Sequence, residues 1–178
     1  MEKRPDLSPT LHRIVIMGNG GSGKTWLAKR LAERFGMEAV HLDDVYWQPG
    51  RYGVARDKAV VIEEVKVLAE GEAWLMEGVY GWLVNVILPR SSLLLWLDLG
   101  EEECVANVRT RGIQGGESEE SFEGLVTWVS EYRIRKNNWN SFDAHLKLFD
   151  GFAGSKFRLR SREEIAAYLK GISSSGLA

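Results

Sequence analysis

Apolar residues fall along this chain in two kinds of block. Short continuous runs recur at Arg13-Ile-Val-Ile-Met-Gly18, Ala39–Leu42, Ala73–Glu77, Ser92–Leu97 and Lys156–Arg160. These are strand-sized and nearly uninterrupted, as strands buried on both faces require. Between them lie segments of helical period. Leu27, Leu31 and Phe35 are four apart within Gly23–Phe35, with Gly36 as the stop. Val61, Val65 and Leu68 share one face of Asp57–Glu70, and Gly71 ends it. Glu101–Arg111 opens on three glutamates, which the positive end of a helix favours, and turns Cys104 and Val108 inward. Ser121–Asn137 carries Phe122, Leu125, Val126 and Val129 on one stripe, and Ser161-Arg-Glu-Glu164 is a capping box opening a last helix to Lys170.

Strands alternating with helices predict right-handed βαβ crossovers: a five-stranded parallel sheet in a three-layer α/β/α fold. The expected organisation is one domain over 12–172, preceded by a loose polar lead-in at 1–11 and followed by a loose tail at 173–178. Composition narrows the class. With 23 Lys+Arg against 25 Asp+Glu, the net charge of −2 argues against a broad nucleic-acid surface. A single cysteine excludes an internal disulfide framework and a multi-cysteine zinc site. The longest apolar run, Leu93–Leu97, is far short of a membrane span, and Met1–Asp6 lacks the apolar core of a secretory leader. A cytoplasmic protein is expected.

Gly18-Asn-Gly-Gly-Ser-Gly-Lys-Thr25 carries the chemistry. It matches the G-x-x-x-x-G-K-[ST] phosphate loop and stands where that loop must stand, after an apolar strand and at the start of an amphipathic helix. Gly18, Gly20, Gly21, Ser22 and Gly23 would let backbone N–H groups converge on phosphate oxygens. Lys24 would bridge the β- and γ-phosphates, and the Thr25 hydroxyl would ligate Mg²⁺. ATP and Mg²⁺ are therefore the expected donor and metal.

Phosphate loops serve switches, motors and kinases alike. No Asn-Lys-x-Asp guanine reader and no Asp-x-x-Gly is present. Three features favour a small-molecule kinase. His41-Leu-Asp-Asp-Val-Tyr-Trp47, then Gln-Pro-Gly50-Arg51, follows the second strand, where a parallel sheet places its ligand crevice. Asp43 could orient or deprotonate an acceptor hydroxyl. Tyr46 and Trp47 could stack on it, with Trp47 equally readable as core, and Arg51 and Arg56 could hold an acceptor anion or be plain surface charge. Glu77 ends the third strand and suits Mg²⁺ held through water, while Gly78 suits close backbone approach to a ligand. Asp98, ending the fourth strand, competes with Glu77 but reads better as a cap for the following helix. Arg111 falls on the Cys104/Val108 face and Arg133 on the Val126/Val129 face, and a buried charge needs a partner. Phosphates would serve, as would Glu131 or Glu103. Arg109 and Arg135 fall on other faces, where solvent is expected, although Arg135 could reach phosphate if a lid closes. A helix–loop–helix lid over about 109–137 would exclude water from the transfer.

Gly18–Thr25, His41-Leu-Asp43 with Trp47-Gln-Pro-Gly50, Glu77-Gly78-Val-Tyr80, Leu93–Asp98, Trp128–Arg133 and Phe157–Tyr168 together resemble the adenylate-kinase-like P-loop kinases, in the adenylate kinase and "DNA topology modulation" group. The resemblance spans about residues 13–170. It implies a five-stranded P-loop NTPase fold, Mg²⁺-ATP as donor, and a nucleotide-like or small hydroxylated acceptor. Lys24 and Thr25 match the motif, Glu77 stands where Asp is usual, and Arg111 and Arg133 match lid arginines. Two departures stand out: Asn107, where related sequences tend to carry an arginine, and an acidic loop with Glu117, Glu119 and Glu120. The expected activity is phosphoryl transfer from ATP to a nucleotide, nucleoside or similar metabolite. The alternative is a non-catalytic ATP-binding module that acts on a protein or DNA partner; a weaker rival is a small-metabolite kinase of the shikimate or gluconate kind, which Tyr46, Trp47, Arg51 and Arg56 would distinguish by the acceptor they hold.

Overall fold

The computed structural model describes residues 12–51 and 53–172; the expectations for residues 1–11 and 173–178 lie outside them. Five parallel strands form one sheet: β1 (Arg13–Gly18), β2 (Ala39–His41), β3 (Trp74–Gly78), β4 (Leu93–Leu97) and β5 (Ser155–Leu159), in the order β2-β3-β1-β4-β5. The central position of β1 explains its apolar sequence, because both of its faces are covered. Ile14 and Ile16 pack against α1 (Lys24–Phe35), α5 (Glu101–Arg111), α6 (Glu119–Ser130) and α8 (Arg162–Gly171). Val15 and Met17 pack against α3 (Lys58–Leu68), α4 (Gly81–Ile87) and α7 (Phe142–Gly151) on the other face. Period-two alternation along one strand thus feeds two separate cores.

Several local signals act as expected. Asp57 caps α3, its carboxylate accepting from the N–H groups of Ala59 and Val60. Ser161 caps α8 by accepting from the Glu164 N–H, while the Glu164 carboxylate accepts from the Arg160 N–H at 2.7 Å. Gly36 closes α1 in the left-handed conformation.

Three helices were not expected. Leu42 ends no strand; it starts the short α2 (Leu42–Tyr46). α4 opens with no side-chain cap, whereas Ser141 caps α7 by accepting from the Ala144 N–H. In α7 a polar residue, His145, occupies a fully buried position and interrupts the apolar stripe. The expected helix 121–137 also ends early, at Ser130. Tyr132 then turns fully inward, and its carbonyl accepts from the Phe142 N–H. Residues 131–141 therefore cross the carboxyl end of the sheet as non-helical chain between the two helical layers. Phe122, Val126 and Val129 seat α6 in the core beside α5.

Candidate active site

The phosphate loop follows β1 and is braced from two helices. Asn19 donates through Nδ2 to the carbonyl of Val129 in α6 at 2.8 Å and accepts the Gly20 N–H through Oδ1. Asn107 in α5 donates to the carbonyl of Gly21 at 2.8 Å. Gly21 has φ +73°, and a Cβ there would lie 2.3 Å from the Cys104 carbonyl oxygen, so the loop can pass this close to α5 only as glycine. The departure at Asn107 thus has a role that the sequence did not signal, as a brace for the loop. Lys24 is buried, with Nζ donating to the Asn19 carbonyl at 2.7 Å. Gly23 caps α1 without a side chain, which leaves the first N–H groups of a twelve-residue helix to serve a ligand. The Ser22 hydroxyl is buried with no hydrogen-bond partner among the described residues. Uncapped helix donors, an orphaned hydroxyl and a lysine at the loop suit a polyphosphate.

Thr25 and Glu77 come together across the β1–β3 pair. Thr25 donates its hydroxyl proton to Glu77 Oε1 at 2.9 Å, and His41 Nδ1 lies 2.7 Å from the same oxygen. Having given its proton to Glu77, the hydroxyl keeps its lone pairs for a cation. Glu77 is 3% exposed and offers a hard carboxylate oxygen beside it. Among the described residues no cluster of three His, Cys, Asp or Glu could hold a metal unaided. This donor set fits Mg²⁺, which takes few protein ligands and fills its octahedron with water and phosphate oxygens.

Beyond the ends of β2 and β3, the Tyr80 hydroxyl donates to Asp43 Oδ1. Burial, with the Asp43 carboxylate second, pushes the Tyr80 phenol far above its ordinary pKa, so it stays a donor. Tyr46 sits at the centre of an aromatic wall, its ring centroid 4.6 Å from Trp47, 5.0 Å from Tyr80 and 5.6 Å from Trp82. Trp47 is half-buried in this wall and also bridges back to Ala55. Gly78 does not make room for a ligand: a Cβ there would lie 2.9 Å from that of Leu42, so its smallness serves packing of α2. Arg51 is exposed and donates to Gln48 Oε1 at 3.3 Å. Arg56 gives one arm to the Val45 carbonyl at 2.7 Å and the other to Glu64 at 2.6 Å.

The arginines are arranged differently from expectation. Arg111 lies on the Cys104/Val108 stripe but in the last turn of α5, beyond the packed layer, and is exposed. Arg133 is not on a helix at all. Its guanidinium binds Asp98 at 2.6 Å and Glu101 at 2.5 Å, and lies over the Phe142 ring. Asp98, 2% exposed in its side chain, also receives two bonds from Arg158 at 2.8 and 2.6 Å. Asp98 therefore anchors two arginines and caps nothing, since Gly100 is the N-cap of α5. The acidic partners of Arg133 come from the β4 end and the α5 start rather than from Glu131 or Glu103. Arg109 pairs with Glu123 across the acidic loop at 2.8 and 2.9 Å, tying α5 to α6.

Arg135, expected in solvent, is half-buried against Trp128, with its guanidinium 4.0 Å from the ring centroid. Its Nη1 donates to the Trp128 carbonyl, while Nε and Nη2 are buried without partners among the described residues. Burial pulls its pKa below the ordinary value. Trp128 in turn lies 3.8 Å from where a Cβ on Gly20 would stand, so only one side chain separates Arg135 from the phosphate loop.

Behind the site runs a buried polar chain. Trp96 Nε1 donates to the Tyr132 hydroxyl at 3.1 Å, and that hydroxyl lies 2.6 Å from His145 Nδ1. His145 Nε2 lies 2.9 Å from the Val79 carbonyl, which fixes the proton on Nε2 because a carbonyl can only accept. Burial holds the His145 pKa down at about 3, so it is neutral. This chain joins the 131–141 crossing to the end of β3.

No known family model matches the chain. It is 24% identical over 157 residues to the cytidylate kinase of Pyrococcus horikoshii, a match covering 77% of this chain and 76% of that protein. Shikimate kinase from Bacteroides thetaiotaomicron aligns over 89% of this chain and 94% of its own, with a TM-score of 0.53 at 16% identity. Shikimate kinase from Acinetobacter baumannii, solved in complex with shikimate, aligns over 90% of both chains, with a TM-score of 0.55 at 15% identity. The chain has the P-loop fold of these kinases. In that fold the crevice lies at the carboxyl ends of the strands, where Lys24, Glu77 and Asp43 stand.

Proposed function

We propose that the protein is a Mg²⁺-ATP-dependent small-molecule kinase of the adenylate-kinase-like group, transferring the γ-phosphoryl of ATP to a small hydroxylated acceptor of the nucleoside or nucleotide kind. The observation that carries this reading is the Thr25–Glu77 contact at the head of an intact phosphate loop, with the Asp43 carboxylate held by Tyr80 just beyond the end of the neighbouring strand β2. The curated relative is a nucleotide kinase by name, and the aligned structures are shikimate kinases, so phosphoryl transfer to a metabolite is the activity these likenesses favour.

In this reading the loop N–H groups and the start of α1 bind the donor's phosphates. Lys24 leaves the Asn19 carbonyl to bridge the transferring group. Thr25 and Glu77 would hold Mg²⁺, which supplies charge neutralisation on the phosphate oxygens. Asp43, oriented by Tyr80, accepts the proton of the acceptor hydroxyl. Arg135 supplies free N–H donors to the transferred group, and the 131–141 crossing keeps water out. Arg133 organises the floor beneath through Asp98 and Glu101 instead of touching phosphate. The catalytic unit spans 12–172, and of the stretch 109–137 only the exposed turn at 113–116 would move, because α6 and Tyr132 are packed into the core. It works in the cytoplasm on a small molecule and not on nucleic acid. Balanced charge supports this, and no helix among the described residues is long and apolar enough to cross a membrane.

The test is a panel of nucleosides, nucleotides, sugars and carboxylated alcohols incubated with Mg²⁺-ATP and scored for phosphorylated product. A product that requires Asp43 is the expected result. Tight ATP binding with no product from any acceptor would favour a binding module instead.

A further inference from the structure

We infer that His41 is a positioning residue of the metal site, holding the Glu77 carboxylate in the orientation that presents its second oxygen to the Mg²⁺ beside Thr25. This rests on the kinase reading and specifies how its metal site is kept in place.

The strands bring the three residues together. His41 and Glu77 are register partners at the carboxyl ends of the neighbouring parallel strands β2 and β3. Ala39 and Leu75, two residues earlier on each strand, pack in the layer that holds α1. Side chains two apart on a strand share a face, so His41 and Glu77 both point toward that layer. Thr25 meets them there from the first turn of α1.

Two donors then converge on one oxygen. Glu77 Oε1 accepts from the Thr25 hydroxyl at 2.9 Å and lies 2.7 Å from His41 Nδ1. A carboxylate oxygen only accepts, so Nδ1 carries the hydrogen of this contact. Oε2 receives no hydrogen bond among the described residues, which leaves it for the hydrated cation. Glutamate has one more rotatable bond than aspartate, and its terminal torsion is broad. The Thr25 bond alone is a hinge about which the carboxylate can turn and exchange its two oxygens. His41 supplies the second point of attachment, and carboxylates that ligate metals depend on such partners for their orientation.

His41 has no comparable role in packing. Its side chain is 33% exposed and belongs to neither core layer, so its removal opens no cavity in the core. The ring borders an open cleft of about 440 Å³ between α1 and β2, with Thr25 and Lys29 on the same lining.

Calorimetric titration of a non-hydrolysable ATP analogue into the protein, in EDTA and at a series of Mg²⁺ concentrations, tests this. The wild type should bind the analogue more tightly as Mg²⁺ rises. His41→Ala and His41→Phe should each raise the Mg²⁺ concentration for half-maximal tightening by about tenfold or more, with binding in EDTA unchanged. His41→Asn should return that concentration to within about threefold of the wild type, because its amide nitrogen is attached to Cγ as Nδ1 is and can donate to the same oxygen. Phe keeps the ring without the donor, so its comparison with Asn decides the matter even where Ala fails to fold. Unchanged Mg²⁺ dependence in His41→Phe, loss of its fold, weaker binding in EDTA, or an Asn variant as impaired as Phe overturns the inference and leaves the kinase reading in place. A wild type that fails to bind the analogue, or binds it with no response to Mg²⁺, overturns both.

Discussion

The hydroxyl of Thr25 donates to Glu77 Oε1 at 2.9 Å, joining the first turn of α1 to the end of β3. The two residues are 52 apart in sequence and meet because β1 and β3 are hydrogen-bonded neighbours, with Ile16 opposite Glu77. A hydroxyl held in this way has its proton committed and its lone pairs available, which is the arrangement a hard cation requires.

If this pair holds the metal, Glu77→Gln keeps the shape and an acceptor oxygen but removes the charge. The expected effect is a fall in kcat of about 10–100-fold and a higher Mg²⁺ concentration for half-maximal rate. Steady-state rates across a Mg²⁺ titration check this. An unchanged Mg²⁺ dependence would assign the pair to structure alone.

The two arginines of the crossing should separate by phenotype. Arg133→Ala removes a partner from the buried Asp98, which keeps Arg158. The cost is about 1–3 kcal/mol, seen as a Tm lower by about 3–10 °C. Arg135→Ala removes a guanidinium whose Nε and Nη2 have no partner and which is held only by the Trp128 ring and carbonyl, so it should lower Tm less than Arg133→Ala does and lower kcat by about 10–100-fold. Thermal melts beside kcat and KM for both variants decide between them, and the reverse pattern would exchange the two roles.

His145 predicts an acid limb of stability. Its folded pKa of about 3 lies below its ordinary value of 6.5, so the unfolded chain takes up a proton that the folded chain refuses. The stabilisation is complete above about pH 6.5 and is lost progressively as pH falls toward 3, by at most about 1.4 kcal/mol per pH unit. Urea unfolding at several pH values should show this slope between pH 6.5 and 5 in the wild type and its absence in His145→Leu. Equal slopes would contradict a neutral buried His145.

The sheet and the phosphate loop were legible because their signals are local. Uninterrupted runs such as Ile14–Met17 and the glycines around Lys24 have few other physical readings. The place of Glu77 at the end of β3 was legible because strand ends can be located from the same runs. The arginines were not legible, for a different reason. Placing Arg133 on the Val129 face assumed that the helix continued, yet nothing local ends it at Ser130. What ends it is the burial of Tyr132 against Trp96 and His145, a tertiary contact. The same contact hid α7, whose buried His145 looks like a polar break in the sequence. Arg111 failed on depth, since helical phase gives a direction but not how far the packed layer extends. Some of the seven tryptophans now have places: Trp74 and Trp96 in the core, Trp47 and Trp82 in the aromatic cluster around Tyr46, and Trp128 beneath Arg135. Cys104 is buried, with its thiol pKa pushed up to about 11 by burial, as suits a packing residue.

The most direct test of the account is transfer of labelled phosphate from γ-labelled ATP to an acceptor, compared between the wild type and Lys24→Ala at matched Mg²⁺, with circular dichroism confirming the fold of both. The account predicts a labelled small-molecule product from the wild type and a loss of at least about 100-fold in the variant, because Lys24 acts on the transferring group. Equal rates in the two proteins, or tight ATP binding by the wild type with no labelled product from any acceptor, would contradict it.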